Sequence, residues 1–190
     1  EEAQPFYVNA PYGIVLIHNG NLTNTRELEK QLFSVDRRHT NSSSDTEMLL
    51  NIFATELQEQ INNKKDLDPE LIFKAVASLH KRIQGSYAVI SLISGHGLLA
   101  FRDPFGIRPL VIGKRISSEN KNEWMVASES LVLENNDYEI VRDVSPGEAV
   151  YISKNGEFFS KQCSENPRLF PCAFEYVYLA RPDSVMNGIS

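Results

Sequence analysis

Three residues of this chain could do chemistry together: Asn19 and Gly20, in the run VLIHNGNLTN, and Asp45, in SSSDTE. An Asn amide donates two hydrogen bonds, and a Gly N–H has no Cβ to keep a ligand away. Side by side they can cradle a developing oxyanion, an arrangement worth about 3 kcal/mol per donor in acyl transfer. The same dipeptide is the strongest short signal for a type I′ hairpin turn. The sequence carries its own control. Asn155-Gly156 lies between Val150-Tyr151-Ile152 and Phe158-Phe159, with strand patterns on both sides, and reads as a hairpin. Before Asn19-Gly20 there is a strand pattern, Tyr12 to Ile17, expected to stop at His18, and after it comes a capped helix, so no second strand is expected to pair there. The cradle and the turn both remain open. Asp45 likewise reads either as a helix-start residue or as an ionised carboxylate offered to a cation. His18 is a tempting general base, but a strand-end His is expected to be a structural hydrogen-bonder.

The elements that must position these residues follow from periodicity. TRELEKQLF, entered by Asn24 with Glu27 three residues on, predicts a short helix. Ser44 and Glu47 form a capping-box pattern, and Met48, Leu49, Ile52, Phe53 and Leu57 an apolar stripe, so Asp45 falls in the first turn of a second helix. The polar connector NNKKDLD leads to a third, capped by Asp68 with Pro69 at its first position and closed by Gly85. From Ser86 the period shortens: Tyr87–Ile93, Leu98–Phe101, Pro109–Gly113, Trp124–Ala127, Tyr138–Val141, Ala149–Ile152 and Phe158–Gln162 read as strands. Helices early and strands late predict an α+β layered fold with largely antiparallel sheets. After Cys163 the pattern loosens.

Composition narrows the classes. With 42% hydrophobic and 23% charged residues, the 190-residue chain can bury a core and amounts to about one domain. Its net charge of −6, with no basic cluster longer than a pair, argues against nucleic acid as a partner. No apolar stretch approaches the ~20 residues that span a bilayer, and EEAQPF lacks the features of a signal peptide, so a soluble cytoplasmic protein is expected. Cys163 and Cys172 are too few and too oddly spaced for a disulfide framework or a metal knuckle and are expected to be free and buried. The start on Glu1, without Met, suggests a piece of something longer.

HNGNLTN and SSSDTE resemble the glutaminase domain of the N-terminal-nucleophile amidotransferases. AFRDPFGIRPLVIGKR, MVASES, VSPGEAVYI and FEYVYLARPDS resemble, among these, the cluster-free amidophosphoribosyltransferase family, over essentially all 190 residues. The resemblance implies an N-terminal-nucleophile hydrolase fold, layered α/β/β/α and truncated at its N-terminus. Residues 1–165 would be the glutaminase domain without its first strands, and 166–190 a linker and the start of an absent phosphoribosyltransferase domain. It implies that glutamine is hydrolysed through a cysteinyl thioester and the ammonia transferred to phosphoribosyl pyrophosphate, giving 5-phosphoribosylamine in the first step of purine synthesis. Asn19 and Gly20 would be the oxyanion donors and Asp45 the partner of the substrate ammonium. Mg²⁺ would belong to the absent domain, with no metal or cofactor in this part, and relatives of this type are commonly homotetramers. Glu1 is not the nucleophilic cysteine with which the family's mature chains begin, so this piece alone is expected to be inactive. The alternatives are a non-catalytic glutamine-binding module and the glutaminase part of a sibling such as the glucosamine 6-phosphate enzyme. For Arg102-Asp103 and Arg108 an ion-paired turn is expected over a phosphate clamp. Glu129 is read as fixing a short helix start, and Tyr176, Tyr178 and Arg181 as lying at the domain junction.

Overall fold

Alternating apolar positions build two antiparallel sheets. The first has six strands in the order β1 (Phe6–Val8), β2 (Ile14–Leu22), β3 (Gly85–Ile93), β4 (Gly97–Arg102), β8 (Glu148–Ser153) and β9 (Phe158–Gln162). The second has three, with β5 (Val111–Ile116) between β6 (Asn122–Ala127) and β7 (Glu139–Asp143). This computed structural model describes residues 3–61, 67–181 and 183–188. Glu1 and most of the NNKKDLD connector, on which two expectations rest, lie outside the described residues.

Helices α2 (Asp45–Ile61) and α3 (Pro69–Arg82) cover one face of the large sheet, and α1 (Thr25–Gln31) packs beside them. In α3 Leu71, Ile72, Ala75, Val76 and Leu79 form a buried stripe, and the expected cap is present, the Asp68 carboxylate accepting the Leu71 N–H at 3.0 Å. A second core, with Ala88, Ala100, Ile112 and Val150, fills the seam between the sheets. Leu133 of α4 (Ser130–Glu134) closes the far side against Val111 and Ala127. The layers are therefore α/β/β/α, the last reduced to one short helix. Side chains tie the sheets together: Trp124 of β6 stacks on Phe158 of β9 at 4.4 Å and donates to the Gly156 carbonyl of the β8–β9 hairpin at 3.1 Å, and Arg142 of β7 pairs with Glu148 of β8. Asn155-Gly156 does make that hairpin, with Gly156 at φ 81°.

Several local expectations change. The strand does not stop at His18; β2 runs on through Asn19 and Gly20 to Leu22, because β3 pairs with its whole length, from Ile14↔Ile93 to Leu22↔Gly85. The close approach depends on glycine. A Cβ on Gly20 (φ 151°) would stand 2.0 Å from the Ser86 carbonyl oxygen, and one on Gly85 2.2 Å from that of Asn21. Gly85 thus opens β3, whereas α3 ends at Arg82. The Glu47 carboxylate does not close a box with Ser44: it reaches further back and accepts from the backbone and side chains of Asn41 and Ser42. Asn24 makes no side-chain cap either. Its amide accepts from Gln84 N–H at 3.0 Å and donates to the Arg82 carbonyl at 2.9 Å, binding the start of α1 to the α3–β3 connection. Replacing Asn24 with Ala removes both bonds and lowers the free energy of unfolding by about 1–2 kcal/mol, read from the urea midpoint.

The Arg102-Asp103 pair holds the loop that leads into β5. Arg102, 1% exposed, donates to the carbonyls of Arg108 (2.5 Å), Gly106 (2.7 Å) and Val144 (2.8 Å) and to Asn187 Oδ1 (2.9 Å). Asp103 accepts from the amides of Tyr87, Phe105 and Ile107. The pair is thus neither a phosphate clamp nor an ion pair with itself: each charge is spread over backbone groups. Residues beyond β9 lie back along this loop through Arg168 N–H to Pro104 O and Phe170 N–H to Phe105 O, and Arg108 pairs with Glu175. Glu129 makes no cap bond to α4; it accepts from Arg181 N–H and Ser184 Oγ instead.

Candidate functional site

The site is built on one edge of β2. In an antiparallel ladder a residue's N–H and C=O point to the same side and alternate from one residue to the next. β1 covers this edge only as far as the Phe6↔Leu16 pair. At His18 a side chain replaces the strand: Gln4 accepts the His18 N–H at 2.6 Å and donates to its carbonyl at 2.9 Å. Four residues further, the Leu22 N–H donates to Asp45 Oδ2 at 2.9 Å. Gly20 has the same parity and stands between them, so its N–H faces an edge that no strand among the described residues covers. Asn19 has the opposite parity in its side chain. It projects from the sheet face, beside Ala88 across the ladder, into a cleft of about 290 Å³ at the open end of the inter-sheet seam. Ile17, Ile90, Leu110 and Ser128 line the rest of the wall.

Asp45 arrives from α2. The carboxylate of Glu47 gathers the loop ahead of the helix, and burial of that group is outweighed by its hydrogen bonds to Asn41 and Ser42, which lower its pKa. With α2 so phased, Asp45 lands on the β2 edge and Thr46 Oγ1 accepts from Gln4 Nε2 at 3.3 Å. His18 is buried beneath, its Nδ1 3.3 Å from Thr46 Oγ1 and 3.8 Å from Asp45 Oδ1, its Nε2 3.4 Å from the Ser86 carbonyl. Burial lowers its pKa, against the opposing pull of Asp45. The structure thus brings Asn19, Gly20 and Asp45 to one stretch of strand. It adds Gln4 and Thr46, which the sequence reading missed. Gln4 lies outside every periodic segment, and Thr46 is hidden inside a helix pattern, so neither gave a signal.

Neither thiol lies at this edge. Cys163 follows β9, at the opposite margin of the sheet, and burial pushes its pKa up to about 12, which leaves no thiolate near neutrality. Cys172, expected to be buried, is half-exposed on the loop beyond, because that segment lies over the surface of the 104–107 loop. Among the described residues no three His, Cys, Asp or Glu side chains converge as a metal ion would require. No helix among them is long and apolar enough to cross a membrane.

The family profile described as glutamine amidotransferase domain matches residues 1–135, and the chain belongs to that family. Over its whole length it is 56% identical to the amidophosphoribosyltransferase of Escherichia coli (strain K12) and 48% identical to that of Schizosaccharomyces pombe. It spans 37% of the length of each. Among solved structures it resembles a glutamine phosphoribosylpyrophosphate amidotransferase from B. subtilis, complexed with ADP and GMP, with a TM-score of 0.78 and 28% identity, covering 98% of this chain and 37% of that one.

Proposed function

We propose that this chain is the glutaminase part of an amidophosphoribosyltransferase, which hydrolyses glutamine and transfers the ammonia to phosphoribosyl pyrophosphate to give 5-phosphoribosylamine. In this reading residues 1–165 form the glutaminase domain and 166–190 lead into a phosphoribosyltransferase domain, where Mg²⁺ acts, within a cytoplasmic homotetramer. The observation that supports it best is the β2 edge, where Gly20, the cleft-facing Asn19 amide and the Asp45 carboxylate lie along one stretch of strand.

The chemistry follows from the donors. A cysteine thiolate adds to the δ-carbonyl carbon of glutamine, and the carbonyl π pair moves onto oxygen. Asn19 and Gly20 donate to that oxyanion, which is when their bonds strengthen. Collapse expels the nitrogen as ammonia, which takes the proton that the cysteine's own α-amine had drawn from the thiol, and leaves a thioester that water hydrolyses to glutamate, freeing the thiol again. Asp45 has only acceptors to offer and pairs with the α-ammonium, fixing which end of the substrate enters the cleft.

The full-length protein tests this. It should release pyrophosphate from phosphoribosyl pyrophosphate with either glutamine or ammonia present; a sibling amidotransferase releases none. Asp45→Asn keeps an acceptor for the Leu22 N–H but loses the charge, so the KM for glutamine rises roughly tenfold while ammonia-dependent synthesis is nearly unchanged. An equal loss of both activities would contradict the ammonium role.

A further inference from the structure

His18 lies directly behind this edge, and its two ring nitrogens meet different partners. Nε2 faces the Ser86 carbonyl at 3.4 Å, a group that can only accept, so Nε2 carries the hydrogen of the neutral ring. Nδ1 then presents a lone pair, filled by the Thr46 hydroxyl at 3.3 Å, with Asp45 Oδ1 3.8 Å away. The ring has little room to move. Its backbone is held on both sides by Gln4, and a Cβ on Gly20 would lie 2.7 Å from Nε2. A proton gained at Nδ1 therefore appears facing Asp45, and Thr46, which is 3.5 Å from Asp45 Oδ1, can turn its hydroxyl to that carboxylate.

We propose that His18 is a positioning residue that rivals the substrate for Asp45: the neutral imidazole leaves the carboxylate to the glutamine α-ammonium, and the imidazolium occupies it. This rests on the assignment of Asp45 above. The charges that face His18 among the described residues are Asp45 from α2 and Arg108 from the loop after β4; β3 presents only the Ser86 carbonyl, and the β1 side the neutral Gln4 amide. Asp45 favours the proton, while burial and Arg108 oppose it. The net effect is a pKa below the ordinary 6.5, so the ring is neutral at neutral pH and the rivalry begins only on the acid side.

Two cations competing for one carboxylate give a definite signature. In the full-length enzyme the KM for glutamine rises as pH falls below 6.5, by up to about tenfold per unit once the ring is mostly protonated. His18→Gln can donate to Ser86 and accept from Thr46 but cannot be protonated, and its KM stays flat over the same range. A flat KM in the wild type, or an unchanged acid rise in His18→Gln, overturns the proposal. If His18→Gln does not fold, the wild type decides alone through the imidazole resonances of His18. Saturation with L-glutamate, which carries the same α-ammonium, must lower the His18 pKa, since the coupling is reciprocal; an unmoved pKa overturns the proposal. Asp45→Asn separates the two claims. If it leaves KM unchanged near pH 7.5, the Asp45 assignment itself fails; if it raises KM while His18→Gln keeps the acid rise, only the role of His18 fails.

Discussion

Replacing Asn19 with Ala in the full-length enzyme lowers glutamine-dependent turnover by about a hundredfold or more and leaves ammonia-dependent synthesis within about twofold. The first figure follows from the role proposed for Asn19, that of one preorganised donor to the oxyanion. The second follows from where Asn19 sits. Its side chain is exposed at the cleft and makes no hydrogen bond to another described residue, so truncation costs the fold little. Backbone pairing with β3 does not depend on that side chain either. A loss caused by misfolding would show in both reactions, whereas loss of an oxyanion donor shows only where a carbonyl is attacked. Unchanged glutamine turnover would remove Asn19 from the mechanism.

The second large effect is on stability. Arg102→Leu fills a similar volume but strands the carbonyls of Gly106, Arg108 and Val144, all of which the guanidinium now satisfies. Each buried carbonyl left unpaired costs about 1–3 kcal/mol, so a loss of at least about 3 kcal/mol is expected, a large part of the ~5–15 kcal/mol that holds a typical domain together. The check is urea unfolding followed by far-UV circular dichroism. Arg102→Lys does not rescue it, because a single ammonium cannot span three carbonyls set around a planar fork. Stability within about 1 kcal/mol of the wild type would mean that water replaces the guanidinium, contrary to its 1% exposure.

Arg102 also shows where reading from residues alone reached its limit. RDPFGIR pointed to a bend with charges, and Pro104 and Gly106 do lie in one, but local sequence could not tell that the partners would be carbonyls, one of them in Val144, brought up by the fold. The same limit operated at Asn19-Gly20. The residue types pointed to a stretch that does border a cleft, yet the extent of β2 was misjudged because its partner, β3, begins more than sixty residues later. Periodicity succeeded where the environment was local and uniform, as in α3 with its Asp68 cap and in β9. It was less informative in α2, which is buried on most of its circumference, so that Asn51 and Glu56 are inside as well. Glu56 is tolerated there because Arg82 meets it at 2.8 Å.

The bond from Trp124 to Gly156 has a practical consequence. Trp124 is the chain's single tryptophan, it belongs to the small sheet, and both its stacking partner and its hydrogen-bond acceptor belong to the large one. Its fluorescence therefore carries a signal from the seam alone, with no second indole to dilute it. Emission that shifts red before the circular dichroism changes would mean that the sandwich parts while its sheets persist; a shared midpoint would mean that the layers come apart and melt as one unit.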